Sequence, residues 1–218
     1  MQIFFQDVLP TPLAESFKNN QNSVKSEIWQ NNITFEKGTK YKIYAPSGKG
    51  KSTFIHLIYG LRRDYAGQIH IDNQAIDKYK RKDWAMLRQK RLSIVFQDLR
   101  LFLHLTAWEN IQVKAVLQNQ ISNQEIQVMA DYLGIAHVLQ KKAGLLSYGE
   151  RQRTAIIRAL MQPFDFILLD EPFSHLDEEN IRKASELIEQ KREKYQAGML
   201  MTTLGDDYAW EFDNKVTL

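Results

Sequence analysis

Cysteine is absent from this 218-residue sequence. Its absence excludes disulfides and thiolate chemistry, and is compatible with a reducing compartment without requiring one. Long apolar runs are absent too, and no stretch is long and apolar enough to cross a bilayer. A chain of this kind that works at a membrane is held there by other chains. Met1 to Asp7 lack a basic segment followed by a long apolar core, so they do not read as a signal peptide. Internal repeats and low-complexity linkers are missing. A strong charge of one sign is missing as well: the net charge of +3 does not by itself imply nucleic acid.

What is present is an ordinary soluble composition, 44% hydrophobic and 25% charged, in a chain long enough to bury a core without metals or disulfides. The most informative stretch is Ala45-Pro46-Ser47-Gly48-Lys49-Gly50-Lys51-Ser52-Thr53. It follows an apolar-alternating strand, Tyr41 to Tyr44, and precedes a helix start, Phe54 to Tyr59. Strand, glycine-rich loop and helix make a phosphate-binding P-loop. Gly48 and Gly50 let successive N–H groups turn inward onto a polyphosphate, and the helix N-terminus adds partial positive charge. Lys51 can reach the β- and γ-phosphates, and the Ser52 hydroxyl can ligate Mg²⁺.

Alternating strands are expected at Met1 to Val8, Ile28 to Phe35 and Gln68 to Asp72, with a polar loop at Lys18 to Ser23. Asp77 to Arg91 carries seven Lys/Arg against two Asp. Trp84, Leu87 and Leu92 make it an amphipathic helix whose basic face is either a solvated surface or a patch for nucleic acid or phospholipid. Leu92 to Phe96 reads as a short strand ending at Gln97. Helices follow at Thr106 to Gln118, Asn123 to Leu133, with a Ser122/Glu125 capping box, and Ile135 to Gln140. Phe164 to Leu169 and Gly198 to Thr203 read as buried strands, Glu178 to Tyr195 as a helix and Asp213 to Leu218 as an edge strand. Strands alternating with helices imply a mostly parallel sheet with helices on its faces.

Two further stretches carry chemistry. Phe164 to Leu169 delivers Asp170 and Glu171 at its C-terminal end, where ligands bind in open α/β sheets. Asp170 suits Mg²⁺ and Glu171 suits a general base that polarises water. Leu146-Ser147-Tyr148-Gly149-Glu150-Arg151-Gln152-Arg153 reads as a helix start, with Ser147 and Glu150 at capping-box spacing.

Together these stretches resemble the ATP-binding cassette family, the nucleotide-binding subunits of ABC transporters, over nearly the whole chain. Ala45 to Thr53 resembles Walker A, Gln97 the Q-loop glutamine, Leu146 to Arg153 the signature, Phe164 to Glu171 Walker B, and Ser174 to Asp177 the D-loop. The resemblance implies a P-loop core formed by 1–97 and 161–218, an antiparallel β portion near the N-terminus, and an inserted helical subdomain at 98–160. It implies Mg²⁺-ATP sandwiched in a head-to-tail dimer, most simply a homodimer. Ser47 to Thr53 would cradle the phosphates; Ser147 and Gly149 would contact the γ-phosphate of the partner's ATP; Asp177 would lie at the seam. Ser52, Gln97 and Asp170 would serve the metal; Glu171, Gln97 and Lys51 would serve hydrolysis. Phe17 is the candidate for stacking on adenine, with other aromatics left open. A membrane permease would dock near Gln97, placing the chain at the cytoplasmic face of a membrane, with no nucleic-acid partner. Phe96 to Asn110 most resembles the lipoprotein-release, macrolide-export and cell-division branch. Its apolar residues read either as a groove for a partner's helix or as subdomain core.

The sequence departs from the family pattern at four places. Ala45 replaces the first Walker A glycine. Tyr148 and Glu150 stand where the signature usually has glycine and glutamine. Leu204 stands where a switch histidine is expected, and loss of such a preorganised donor can cost about 10²–10³ in rate. That leaves a second reading, an ATP switch that hydrolyses slowly or not at all and regulates an envelope complex. A third, a soluble cassette acting on nucleic acid or ribosomes, fits a single cassette with a short basic run poorly.

Overall fold

A computed structural model describes residues 1–19, 26–118, 122–205, 208 and 210–218. The polar loop expected around Lys18 to Ser23 lies mostly outside the described residues. Two sheets organise the chain. The first is antiparallel and combines β1 (Gln2–Pro10), β2 (Asn32–Glu36), β4 (Tyr65–Ile71) and β5 (Gln74–Ala75) in the order β2-β1-β4-β5. The second is parallel and combines β3 (Lys40–Tyr44), β6 (Leu92–Val95), β7 (Phe166–Asp170), β8 (Gly198–Thr203) and β9 (Asn214–Thr217) in the order β6-β7-β8-β3-β9. β9 is an edge strand paired with β3, as its sequence suggests.

The strands β6, β7 and β8 are largely apolar in both registers because both faces are covered. Along β7 and β8, Ile167, Leu169, Met199 and Met201 pack with α4 (Ala107–Ala115), α5 (Asn123–Tyr132), α6 (Tyr148–Leu160) and α7 (Glu178–Tyr195). The alternate residues Phe166, Leu168 and Leu200 pack on the other side, with α2 (Lys51–Ile58), α3 (Arg81–Lys90) and the inner face of the antiparallel sheet. This is the period-two alternation of a strand, with each side given its own apolar layer. α6 packs against both β6 and α7, so the helix that starts at the signature also runs along the sheet.

Several local expectations change in the folded chain. Thr11 to Asn19 form a 3-10 turn and a short helix, α1 (Ala14–Asn19). Ile28 and Trp29 belong to a turn, buried under it, and the strand starts at Asn32. The Ser122/Glu125 box forms only in part. Ser122 caps the Glu125 N–H, but the Glu125 carboxylate is drawn to Lys191 on α7. The basic run is partly consumed inside the fold. Arg88 donates to the carbonyls of Tyr59 and Gly60, and Arg91 pairs with Asp72 and Asp165.

Candidate nucleotide site

The phosphate loop lies between β3 and α2. Gly48 and Gly50 take φ of 77° and 97°, the left-handed region where a Cβ is costly. At Gly50 a side chain would also meet Leu13, with its Cβ 2.8 Å from Leu13 Cδ1 and 3.4 Å from Trp29 Cζ2. The turn through Gly50 thus leans on the segment before α1. Phe17, one helical turn beyond Leu13, is half-buried against the same apolar layer. Ala45 is fully buried at the loop's start. Ser47, Gly48 and Lys49 are exposed, and Thr53 is half-buried in the first turn of α2.

Lys51 is buried, and a buried ammonium needs partners. Its Nζ donates to the carbonyls of Ala45 at 2.8 Å and Pro46 at 3.3 Å, and lies 3.3 Å from Glu171 Oε1. Ser52 Oγ donates to Gln97 Oε1 at 3.4 Å, and Gln97 Nε2 donates to Glu171 Oε2 at 3.2 Å. Lys51, Ser52, Gln97 and Glu171 therefore form one connected set at the C-terminal ends of β3, β6 and β7. The fold brings them together from positions up to 120 residues apart, counting from Lys51 to Glu171.

Asp170 is buried at the end of β7. Thr202, its register partner on β8, donates to Asp170 Oδ1 at 2.7 Å. No motif in the sequence marks Thr202. The available signal was a pair of threonines ending the otherwise apolar run Gly198 to Met201, where a buried hydroxyl needs a polar partner. Glu171 takes φ of 47° and donates its N–H to the Thr202 carbonyl at 3.2 Å. An uncommon backbone conformation for a non-glycine residue turns its side chain back toward Lys51 and Gln97.

The signature turn is arranged differently. Ser147 caps α6 in a reciprocal box: its N–H and hydroxyl both donate to Glu150 Oε2, at 2.7 and 2.8 Å. Burial opposes ionisation of Glu150, but the Ser147 N–H and hydroxyl, with His137 and Arg153 nearby, outweigh it and hold the carboxyl below its ordinary 4.5. Tyr148 lies against His175 and reaches the main chain of Gln97. A Cβ at Gly149 would find only ordinary contacts, 3.7 Å from His175 O and Leu176 Cδ2, and the position has no positive φ. Nothing among the described residues requires glycine there. Asp177 is the N-cap of α7, accepting from the Asn180 N–H at 2.8 Å, and that hydrogen bond lowers its pKa first among several causes.

Leu204 follows β8 and is 56% exposed, offering no hydrogen-bonding group. Among the described residues no cluster of three His or acidic side chains forms a preassembled metal site. Ser52, Gln97 and Asp170 instead offer hydroxyl, amide and carboxylate oxygens, hard donors of the kind Mg²⁺ takes when phosphate oxygens complete its shell.

A parallel sheet with a glycine-rich loop feeding a helix, and paired acids ending a neighbouring strand, defines a P-loop nucleotide-binding protein. Residues 29–174 match the family described as ABC transporter. The lipoprotein-releasing system ATP-binding protein LolD of Psychrobacter arcticus is 31% identical over 190 residues, covering 85% of this chain and 84% of its own. The ABC transporter ATP-binding protein YxdL of Bacillus subtilis is 32% identical over 177 residues, covering 80% of this chain and 69% of its own. Among solved structures, the dimeric bacterial ABC transporter cassette MJ0796 superposes with a TM-score of 0.79 at 25% identity, covering 99% of this chain and 94% of that one. A dimeric post-hydrolysis state of MJ0796 bound to ADP and Pi gives a TM-score of 0.76. The chain belongs to the ABC transporter family, as one of its ATP-binding cassettes.

Proposed function

We propose that this chain hydrolyses Mg²⁺-ATP as one half of a head-to-tail pair, and that closing and reopening of the pair moves a membrane-embedded partner. The observation that carries this reading is a contrast. Lys51, Ser52, Gln97 and Glu171 converge within one chain, while Ser147 and Gly149 present a helix N-terminus with an unexplained glycine. A glycine with no internal need fits close approach of a group from outside, here the γ-phosphate of the partner's ATP.

On this reading the N–H groups of Ser47 to Thr53 hold the triphosphate, and Phe17 packs on the adenine. Lys51 exchanges the carbonyls of Ala45 and Pro46 for phosphate oxygens. Ser52, Gln97 and Asp170 hold Mg²⁺, which neutralises phosphate charge when bound. Glu171 accepts a proton from the attacking water while the Gln97 amide and Lys51 fix its carboxylate. The water oxygen bonds to the γ-phosphorus and the bridging oxygen leaves with ADP. Asp177 lies at the seam. Segment 98–160 is the signature-bearing subdomain.

A permease-type partner would meet the chain beside Gln97, where Phe102 and Leu103 are 47% and 53% exposed. Two neighbouring exposed apolar side chains suit the apolar face of a docking helix. The chain would then sit at the cytoplasmic face of a membrane; no described helix is itself long and apolar enough to cross one. The relatives named LolD support a place in the lipoprotein-release, macrolide-export and cell-division branch. No nucleic-acid partner belongs to this reading.

Glu171→Gln should retain ATP and turn the protein into a stable dimer on addition of ATP, read by light scattering on a sizing column. A variant that stays monomeric with ATP while the wild type dimerises counts against the mechanism. One observation favours the second reading, a slow ATP switch: exposed Leu204 stands where a donor to the γ-phosphate is expected. Phosphate release that is undetectable in the wild type and appears in Leu204→His supports the switch. Release abolished by Glu171→Gln and unaffected by Leu204→His supports the motor.

A further inference from the structure

Tyr148 departs from the family pattern in the signature, and the structure sets it against His175 in the D-loop stretch. Their ring centroids are 4.1 Å apart at an interplanar angle of 60°. On the same helix, the Arg151 guanidinium carbon lies 5.3 Å from the Tyr148 ring centroid. A phenol ring that contacts both a neighbouring imidazole and a guanidinium has few rotamers left to it. Its hydroxyl donates to the Gln97 carbonyl at 3.1 Å.

Gln97 is also the residue whose side chain joins Ser52 to Glu171. The backbone beyond it is a tight turn in which Leu99 and Arg100 have φ of 59° and 46°. Arg158, near the other end of α6, donates to the carbonyls of Leu99 and Arg100 at 2.5 and 2.7 Å. One helix therefore holds three carbonyls of this turn, with Tyr148 at its first residue and Arg158 in its last turn. Arg158 holds two ordinary turn carbonyls; Tyr148 holds the residue that reaches the hydrolytic groups.

We infer that Tyr148 is a positioning residue. Its hydroxyl fixes the main chain from which the Gln97 side chain reaches Ser52 and Glu171. Displacement of the signature turn is thereby passed to the hydrolytic groups of the same chain. His175 acts with it by holding the ring. The inference rests on the proposed function, because Gln97 and Glu171 matter to the reaction only if the chain hydrolyses ATP. It adds that the tyrosine at a glycine position is a working part, not a tolerated bulk.

The test is a double-mutant cycle on phosphate release with Tyr148→Phe, Gln97→Ala and the double variant. Tyr148→Phe should lower kcat about three- to tenfold while KM for ATP stays within about twofold. In the Gln97→Ala background the same change should lower kcat less than about 1.5-fold. An equal fall in both backgrounds, or a change confined to KM, overturns the inference. His175→Ala should lower kcat in the same direction by a smaller factor, and no effect on kcat contradicts the role given to that ring. Amide exchange needs no turnover: exchange at Asp98, Leu99 and Arg100 should quicken severalfold in Tyr148→Phe at unchanged Tm. Unchanged exchange overturns the inference. If Glu171→Gln fails to pair with ATP, the head-to-tail reading falls and the exchange result still decides the link to Gln97. If pairing is intact and the cycle is additive, only the role of Tyr148 falls.

Discussion

The phosphate loop and the signature turn both place glycine at the start of a helix, and the chain treats the two differently. In the phosphate loop, Gly48 and Gly50 have positive φ, and Gly50 is also crowded by Leu13. Those glycines are explained by their own chain. In the signature turn, Gly149 has neither a positive φ nor a close neighbour. Its polar neighbours are already paired, Ser147 with Glu150 and Tyr148 with Gln97. The first turn is half of a site shaped around a ligand, with its cation and acid already in contact. The second is a surface whose one unexplained glycine faces away from any internal requirement. The difference teaches where to look for the missing half of the site: outside the chain.

Changes on the two sides should separate in kind as well as size. Glu171→Gln removes the proposed base and should reduce steady-state hydrolysis by about 10²–10⁴-fold, with ATP binding retained. A loss of binding in place of turnover would break the assignment of Glu171 to chemistry. Thr202→Val leaves buried Asp170 without its hydroxyl donor and should cost about 2 kcal/mol in urea unfolding. A neutral result would mean that Asp170 is solvated after all. Gly50→Ala forces a Cβ into left-handed backbone, a strain of about 1–2 kcal/mol. ATP affinity measured by calorimetry should fall about tenfold, while Gly149→Ala leaves the fold's Tm unchanged.

The smallest expected effect is at Glu150, where the sign separates two roles. Its folded pKa lies below 4.5, so its stabilising contribution is fully present above that value and is lost as pH falls through the folded one. Glu150→Gln should therefore lower stability by about 0.5 kcal/mol at neutral pH, with the gap from wild type closing as the pH falls through the lowered pKa. The same change removes an acid beside the proposed triphosphate and should strengthen ATP-dependent pairing. A variant that is less stable and also pairs more weakly would contradict a place for Glu150 beside that triphosphate.

Much of the parallel sheet was legible because its strands are written in local terms. Phe166 to Leu169 and Gly198 to Met201 are apolar runs, bounded by the acids at Asp170 and Glu171 and by the threonines at Thr202 and Thr203. α7 begins at a capping Asp177 and matches its expected range, Glu178 to Tyr195. What was not legible depends on distant partners. Glu125 abandons its local box for Lys191, and Trp29 leaves a strand pattern to fill the space beneath the phosphate loop. The pairing of Tyr148 with His175 spans 27 positions, and Tyr148 alone reads only as a departure from the family pattern. Lys51, Gln97 and Glu171 were each assigned to the site from motif position. Their mutual contacts, with Thr202 behind Asp170, came only with the fold.

The most direct measurement mixes two broken chains, both carrying Glu171→Gln so that bound ATP is retained. One also carries Lys51→Ala in its phosphate loop, and the other Gly149→Asp in its signature turn. Neither alone should retain ATP through a desalting column. Mixed, they can assemble one intact site from the sound loop of one chain and the sound signature of the other, retaining about one ATP per two chains. A mixture that retains no more ATP than the sum of its parts would contradict a site divided between two chains.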